Sequence, residues 1–366
     1  MVDLLEYCGK NLFRKYGIPV PESVLVDANG KGRGLFFPAF LKAQVPAGHR
    51  KELGGVIIAK SKKELTEGIT SMKKISFNGF KPSEFILEKP EKTDKQVYLS
   101  LSTDRSTRAP VLIVSEKGGT GIEKVGREYI HTYTLNPFVG VPEYVKREIA
   151  SVLSIGGKNR GRLDELLESL WRLYTKEDAE LVEINPLGVS KKGLIALDSK
   201  VTIDDDALFR HADISPAKKS NRLEQKAAGE GISFVRLSGD IGLVANGAGL
   251  TMATIDMIAK LGGKAGDFLD LGGTDEPSKV AKAMELVSDS KPKVLLINIF
   301  AGVTKADTVS QGIVDAVDRI KPKFEIIVRL SGFNTDKGKK ILATRGIEAF
   351  DNMSDAIRTA VQASKR

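Results

Sequence analysis

The 366-residue chain is expected to fold as two domains, the first of mixed α+β character and the second an α/β doubly wound parallel sheet. Two observations support this. The length exceeds what one small core accommodates. From about residue 233 onward, apolar strand-length runs alternate strictly with amphipathic helical stretches: "GLVANG", "GLTMATIDMIAKLGG", "AGDFLDLGG", "EPSKVAKAMELVSDS", "KVLLINIFAG", "KADTVSQGIVDAVDRI", "FEIIVRLSG", "DKGKKILATRG" and "IEAF". Before that point the strand and helix signals are mixed.

The first half opens with a helix over residues 3–17, where Leu4, Leu5, Cys8, Leu12 and Phe13 share a face and Gly17 is placed to end it. "FILEKP", "QVYLSLSTDR" and "VLIVSEKGG" read as strands, the last running into a glycine turn. "YVKREIASVLSI" and "RLDELLESLWRLYTKE" read as helices. The polar stretch "HADISPAKKSNRLEQKAAGEGIS" has little strand character, and the domain boundary is expected in it near residue 230. This gives domains of 1–230 and 231–366.

Composition narrows the function classes. Apolar residues make up 41% and charged ones 28%, an ordinary globular profile, and the net charge is +9. The basic residues are dispersed among acids, without the dense aromatic-interleaved runs of a nucleic-acid binder, so small anionic ligands such as nucleotides suit the excess better. One cysteine, Cys8, excludes an internal disulfide and a thiolate metal site and suits the reducing cytoplasm. No signal peptide and no apolar run of membrane-spanning length is read, so no membrane association is expected. His49, His131 and His211 have no partners at metal spacing; His131 is expected in strand or loop structure and His211 in solvent.

Three stretches carry chemistry. "KAQVPAGHRKELGGV" starts as a strand at Lys42 and closes on two glycines, the outline of a phosphate-wrapping loop, yet its tip holds His49, Arg50 and Lys51. "AELVEINPLGVSKKGLIALDSK" reads as a β-hairpin turning at Lys191 and Lys192. Unbulged, it sets Asn185 across from Asp198 and Glu183 across from Lys200, a carboxamide and a carboxylate of the kind Mg²⁺ accepts. A bulge at Gly193 would move Asp198 to the other face, and the hairpin also reads as an ordinary exposed one. Two glycine turns, "LVANGAGLTM" with Asn246 and "INIFAGVTKAD" with Gly302, Val303 and Thr304, sit at carboxyl ends of strands and open helices. Ligands of open α/β sheets bind at such places.

Read with "VEINPL", "LIALDSK", "DALFR", "STDRSTR", "GGTGIEKV", "LVANGAGLTMATIDM" and "NIFAGVTKAD" in that family's order, the chain resembles the succinyl-CoA synthetase (succinate–CoA ligase) β subunits nearly end to end. The resemblance implies an ATP-grasp nucleotide domain followed by a flavodoxin-like ligase domain. It also implies the tricarboxylic-acid-cycle reaction that makes succinyl-CoA, ADP or GDP, and phosphate from succinate, CoA and nucleoside triphosphate. The phosphoryl group passes through a histidine on a separate α subunit, in an αβ or α2β2 assembly. This chain has no "GHAG"-type motif of its own to supply that histidine.

By the same resemblance Lys42, His49, Arg50, Lys51, Glu88, Glu91 and Gln96 fall at nucleotide positions, and Asn185 and Asp198 at the Mg²⁺. Glu183 falls facing the phosphohistidine, and Asn246, Gly302, Val303 and Thr304 at succinate, with CoA shared with the α subunit. The chain departs from the family at several points. His49 and Lys51 stand for two glycines and Gln96 for a glutamate. "DANGKGRGLFFPAF" is shortened and lacks a helix-like pattern, and "GGTDEP" is slightly compressed. A ligase for another dicarboxylate such as malate, or a non-catalytic partner that keeps the α-subunit interface, are the alternatives.

Overall fold

The chain begins with β1 (Val2–Asp3) and α1 (Glu6–Lys15), and the end of α1 shows how its residues set an element. Gly17 takes φ +79°, a conformation that a side chain resists, so its N–H reaches back to Arg14 O (3.1 Å) and Ile18 N–H to Phe13 O (2.8 Å). This paired closure stops the helix and sets buried Ile18 in the same core as buried Phe13. The computed structural model describes residues 1–366 except 47, 49, 78, 79, 120 and 215–221. Contacts divide the chain into two units, Met1–Lys218 and Lys219–Arg366.

In the first unit β2 (Ser23–Asp27), β3 (Ala39–Ala43), β4 (Val56–Ala59) and β5 (Glu84–Glu88) form an antiparallel sheet in the order β2-β5-β3-β4. α2 (Lys62–Met72), started by the Ser61 hydroxyl accepting from Glu64 N–H, seals one face through Leu65, Ile69 and Met72. Residues 28–38 contain no helix; Leu35, Phe36 and Phe37 pack on that core instead, as the shortened sequence suggested.

The larger sheet uses β6 (Lys95–Asp104), β7 (Ala109–Ser115) and β8 (His131–Thr134), followed by α3 (Glu143–Val152) and α4 (Lys158–Lys176). It is completed by β9 (Ala179–Ser190), β10 (Gly193–Ala196) and β11 (Lys200–Ile203), in the order β1-β11-β9-β6-β7-β8 with β10 also on β9. α4 buries Leu163, Leu166, Leu167, Leu170 and Leu173, one stripe at helical spacing, in the core that also receives α1.

The second unit starts with α5 (Arg222–Gly229), a helix the polar sequence had hidden. It lies before the expected boundary at residue 230, whereas the units divide at Lys218 and Lys219. Among the described residues of α5, Ala227 and Leu223 join the core, too few to write an apolar periodicity. Then follow β12 (Ser233–Arg236), β13 (Ile241–Ala245), α6 (Ala248–Lys260), β14 (Ala265–Asp270) and α7 (Pro277–Asp289). β15 (Val294–Ala301), α8 (Ala306–Ile320), β16 (Glu325–Gly332), α9 (Thr335–Ala343), β17 (Ala349–Phe350) and α10 (Met353–Ser364) complete it.

The sheet order is β12-β14-β13-β15-β16-β17, parallel except for β12. Counted from β13 this is 2-1-3-4-5, the flavodoxin-type order, whose direction reverses between β13 and β15. Both faces are covered: Leu295, Ile297 and Ile299 of β15 enter one core, Val294 and Leu296 the other. That is why these strands read as unbroken apolar runs. Among the described residues no helix is long and apolar enough to cross a membrane.

α7 and α8 approach closely at Gly312, where a Cβ would sit 2.5 Å from Pro277 O and 2.6 Å from Val280 Cβ. Gly312→Ala is expected to lower the thermal unfolding midpoint, by overpacking of about 1–3 kcal/mol. Gly161→Ala, on the open face of α4 with nothing near its Cβ, should raise it, by up to about 1 kcal/mol of helix propensity. Calorimetry of the two variants checks the opposite signs.

Candidate functional site

Strand alternation turns Leu41 of β3 into the small sheet's core and Lys42 to the opposite face. There Lys42 Nζ donates to Glu6 Oε1 (2.9 Å) and Leu197 O (3.0 Å) and pairs with Glu88 Oε1 at 2.7 Å. Lys10, 0% exposed, donates to the same Glu6 Oε1 (2.7 Å) and Leu197 O (2.8 Å) and to Glu88 Oε2. Arg50 Nη2 lies 2.7 Å from Glu6 Oε2 and donates to Asp198 Oδ1 at 3.1 Å and Oδ2 at 3.3 Å. Three cations thus meet three carboxylates, the condition under which charges tolerate burial.

The electrostatics follow. Burial would lower the Lys42 pKa, but Glu6, Glu88 and Asp198 outweigh it and raise it above its ordinary value. Burial pushes the Glu6 carboxyl up, yet Lys10, Lys42 and Arg50 hold it well below the usual carboxylate range. For Asp198, which still meets solvent on one side, partial desolvation by the surrounding protein and neighbouring Glu6 outweigh Arg50, Lys42 and Lys10, and its pKa rises.

Glu6 and Lys10 were missed in the sequence. A Glu-Lys pair four apart on a first helix looks like a solvated face. The signal is Gly9 between them: a Cβ there would lie 2.7 Å from Ser199 Oγ, and Ser199 Oγ–H donates to Glu6 O at 2.9 Å, so α1 is pressed against the strand ends.

In the described part of the loop after β3 the two basic residues Arg50 and Lys51 part ways. Arg50 turns inward, where its Nη1 also donates to Ala43 O (3.1 Å), and Lys51 stands in solvent. Gly55 closes the loop by donating to Arg50 O at 2.6 Å. His49 lies outside the described residues. Glu88 is buried with its carboxylate taken by Lys10 and Lys42, whereas Glu91 is exposed in the segment between β5 and β6. Gln96 is exposed on β6, its carbonyl accepting from Gly118 N–H (3.2 Å).

The hairpin keeps the unbulged register. Ser190 faces Gly193, Leu187 faces Ala196 and Glu183 faces Lys200, so Asn185 and Asp198 fall at corresponding positions between the two ladders. Glu183 also faces Ser100 on β6. Asn185 Oδ1 accepts from Gly119 N–H at 2.6 Å, which ties the glycine turn after β7 to this carboxamide. Asp198 keeps 38% of its side chain exposed and accepts from Ser199 N–H. Among the described residues no group of three His, Cys, Asp or Glu side chains could hold a metal alone. Two hard oxygens, one of them open to solvent, fit a Mg²⁺ that takes its other ligands from phosphate and water.

His211 follows a short 3-10 helix (Asp205–Arg210) and, contrary to the solvated position expected, is buried. Its Nε2 is 2.7 Å from Asp178 Oδ2 and its Nδ1 3.3 Å from Glu177 Oε2. Its partners are over thirty positions away in sequence, beyond any local pattern. His131 opens β8.

In the second unit the switch point of the sheet gathers the remaining candidates. Asn246, after β13, makes a reciprocal pair with Phe300 of β15: its Nδ2 donates to Phe300 O and its Oδ1 accepts from Phe300 N–H, both at 2.9 Å. Thr304 is 1% exposed and its Oγ1 accepts from Thr274 N–H at 3.0 Å. Its neighbours Gly302 and Val303 stand out, Val303 83% exposed. Asp270, not singled out in the sequence, organises the rim by accepting from Gly247 N–H (2.7 Å) and Gly272 N–H (2.8 Å).

Comparison with known proteins agrees with both units. The ATP-grasp domain family matches residues 3–189 and the CoA-ligase family residues 244–363. The chain is 37% identical over 374 aligned positions to the ADP-forming succinate–CoA ligase subunit beta of Ignicoccus hospitalis, covering 100% of both. It is 36% identical over 372 positions to the protein of the same name from Bacteroides thetaiotaomicron, covering 98% of this chain and 99% of that one. Among solved structures, the ATP citrate lyase of Methanothrix soehngenii, in complex with citrate and coenzyme A, shares the fold with a TM-score of 0.70. It has 20% identity and 99% of each chain is covered. This chain, an ATP-grasp domain followed by a CoA-ligase domain, belongs to the succinate–CoA ligase β-subunit family.

Proposed function

We propose that the chain is the nucleotide-binding β subunit of a cytoplasmic ligase that interconverts succinate, CoA and ATP or GTP with succinyl-CoA, the nucleoside diphosphate and phosphate. It works with an α subunit that carries the phosphorylated histidine. The observation that carries this reading is the convergence of Lys42 and Arg50 on Glu6 within the ATP-grasp match, with Arg50 reaching on to Asp198, and full-length kinship to the β subunits stands behind it.

Lys42 and Arg50 supply positive charge to the nucleotide's phosphates, and Glu88 keeps Lys42 charged by pairing with it. Lys51, His49, Glu91 and Gln96 border the same ligand. Asn185 and Asp198 hold Mg²⁺, with Gly119 N–H orienting the Asn185 carboxamide. The metal's contribution is to neutralise phosphate charge. Glu183 orients the imidazole of the partner's histidine and biases its protonation. At the other unit's switch point, Asn246, Gly302, Val303 and Thr304 take succinate, with the amino ends of α6 and α8 favouring negative charge.

Three outcomes test this. Lys42→Ala should weaken ATP binding to the full chain roughly 10–100-fold, the loss of a charge-assisted contact; unchanged affinity by titration calorimetry would remove Lys42 from the site. Asp198→Ala should abolish the gain in ATP affinity that added Mg²⁺ gives the wild type, and a preserved gain would sink the metal assignment. Co-produced with its α subunit, the chain should release ADP or GDP only with CoA and succinate present. Glu183→Gln should slow that turnover by about 100-fold or more, and turnover with malate but not succinate would reassign the acid.

A further inference from the structure

The cation pair assigned to the phosphates already has an anion. Glu6 Oε1 takes Lys42, and Glu6 Oε2 lies 2.7 Å from Arg50. Lys10 anchors Glu6 from the buried side at 2.7 Å. Arg50 in turn lies across Asp198, the carboxylate assigned to the metal. The described cluster is balanced, with Lys10, Lys42 and Arg50 against Glu6, Glu88 and Asp198. Adding a polyphosphate to Lys42 and Arg50 would leave it strongly negative in a largely buried place, unless a carboxylate gives way and a cation joins. Glu6 is the group able to give way on one side only. Lys10, fully buried and also held by Leu197 O, retains it when Lys42 and Arg50 turn to another anion.

Resting on the nucleotide reading above, we propose that Glu6 and Arg50 are resident stand-ins for the ligands of this site. Glu6 holds the place of a phosphate oxygen between Lys42 and Arg50, and Arg50 holds the place of the divalent cation on Asp198. The nucleotide then binds by anion exchange. Lys42 and Arg50 leave Glu6 for the phosphates, and Arg50's departure opens Asp198. Glu6 is a positioning residue that keeps both cations aimed before the nucleotide arrives and competes with it afterwards. Asp198 binds a cation poorly until Arg50 has moved.

The test uses the full chain and two probes, ATP in EDTA and Mn²⁺ alone. Glu6→Gln should bind metal-free ATP at least about tenfold more tightly than the wild type, a direction that mere loss of structure does not produce. Arg50→Gln should bind Mn²⁺ without nucleotide about tenfold more tightly, read from free Mn²⁺ by electron paramagnetic resonance. Glu6→Asp, which keeps the charge beside Lys10 but withdraws it from Arg50, should show a smaller tightening for ATP and serves if the carboxamide does not fold. Equal or weaker ATP binding by the folded Glu6 variants, or unchanged Mn²⁺ binding by Arg50→Gln, overturns the proposal. Wild-type chain that binds no ATP even with Mg²⁺ would instead overturn the nucleotide reading. If the wild type binds ATP and Lys42→Ala does not, but the Glu6 variants fail to tighten, only the stand-in proposal falls.

Discussion

The first unit depends on one balance of charge. Lys10, Lys42 and Arg50 are brought out of water together, and they stay there because Glu6, Glu88 and Asp198 come with them. Through those contacts α1, β3, the loop after it, the end of β5 and the segment before β11 meet at one point. Leu197 O, which accepts from both lysines, is the backbone's share. Removing any one member unbalances the cluster, although Glu6 and Glu88 share Lys10 and Lys42, so a single loss leaves most of the remaining charges with a partner.

Such a cluster is not the most stable filling for this volume, since packed apolar side chains often serve as well or better. Its retention here fits chemistry rather than stability: a lysine and an arginine are kept charged, oriented and partly dry. The same balance explains why Arg50 and Lys51, adjacent in a basic loop tip, have opposite fates. The loop brings Arg50 against two carboxylates, while Lys51 faces water.

What the sequence made legible was local. The turn at Lys191 and Lys192 offered two hairpin registers, bulged or not at Gly193, and the structure takes the unbulged one that puts Asn185 and Asp198 at corresponding positions. The alternation after residue 233 set the parallel sheet, and the glycine turns after β13 and β15 fell at its switch point. Contacts between distant segments stayed hidden. Glu6 and Lys10 looked like a solvent face, and His211 gave no hint of Glu177 and Asp178. α5 buries too little to show a stripe.

In the loop after β15, Thr304 is held by Thr274 N–H while Val303, one residue before it, projects almost fully into solvent. Nearby, Phe300 is tied through its own N–H and C=O to Asn246. The backbone that carries these apolar side chains is therefore fixed from beneath. A surface that closes over Val303 and Phe300 gains their area without having to order the chain that presents them, and the entropy usually lost when a loop is captured has already been given up in folding.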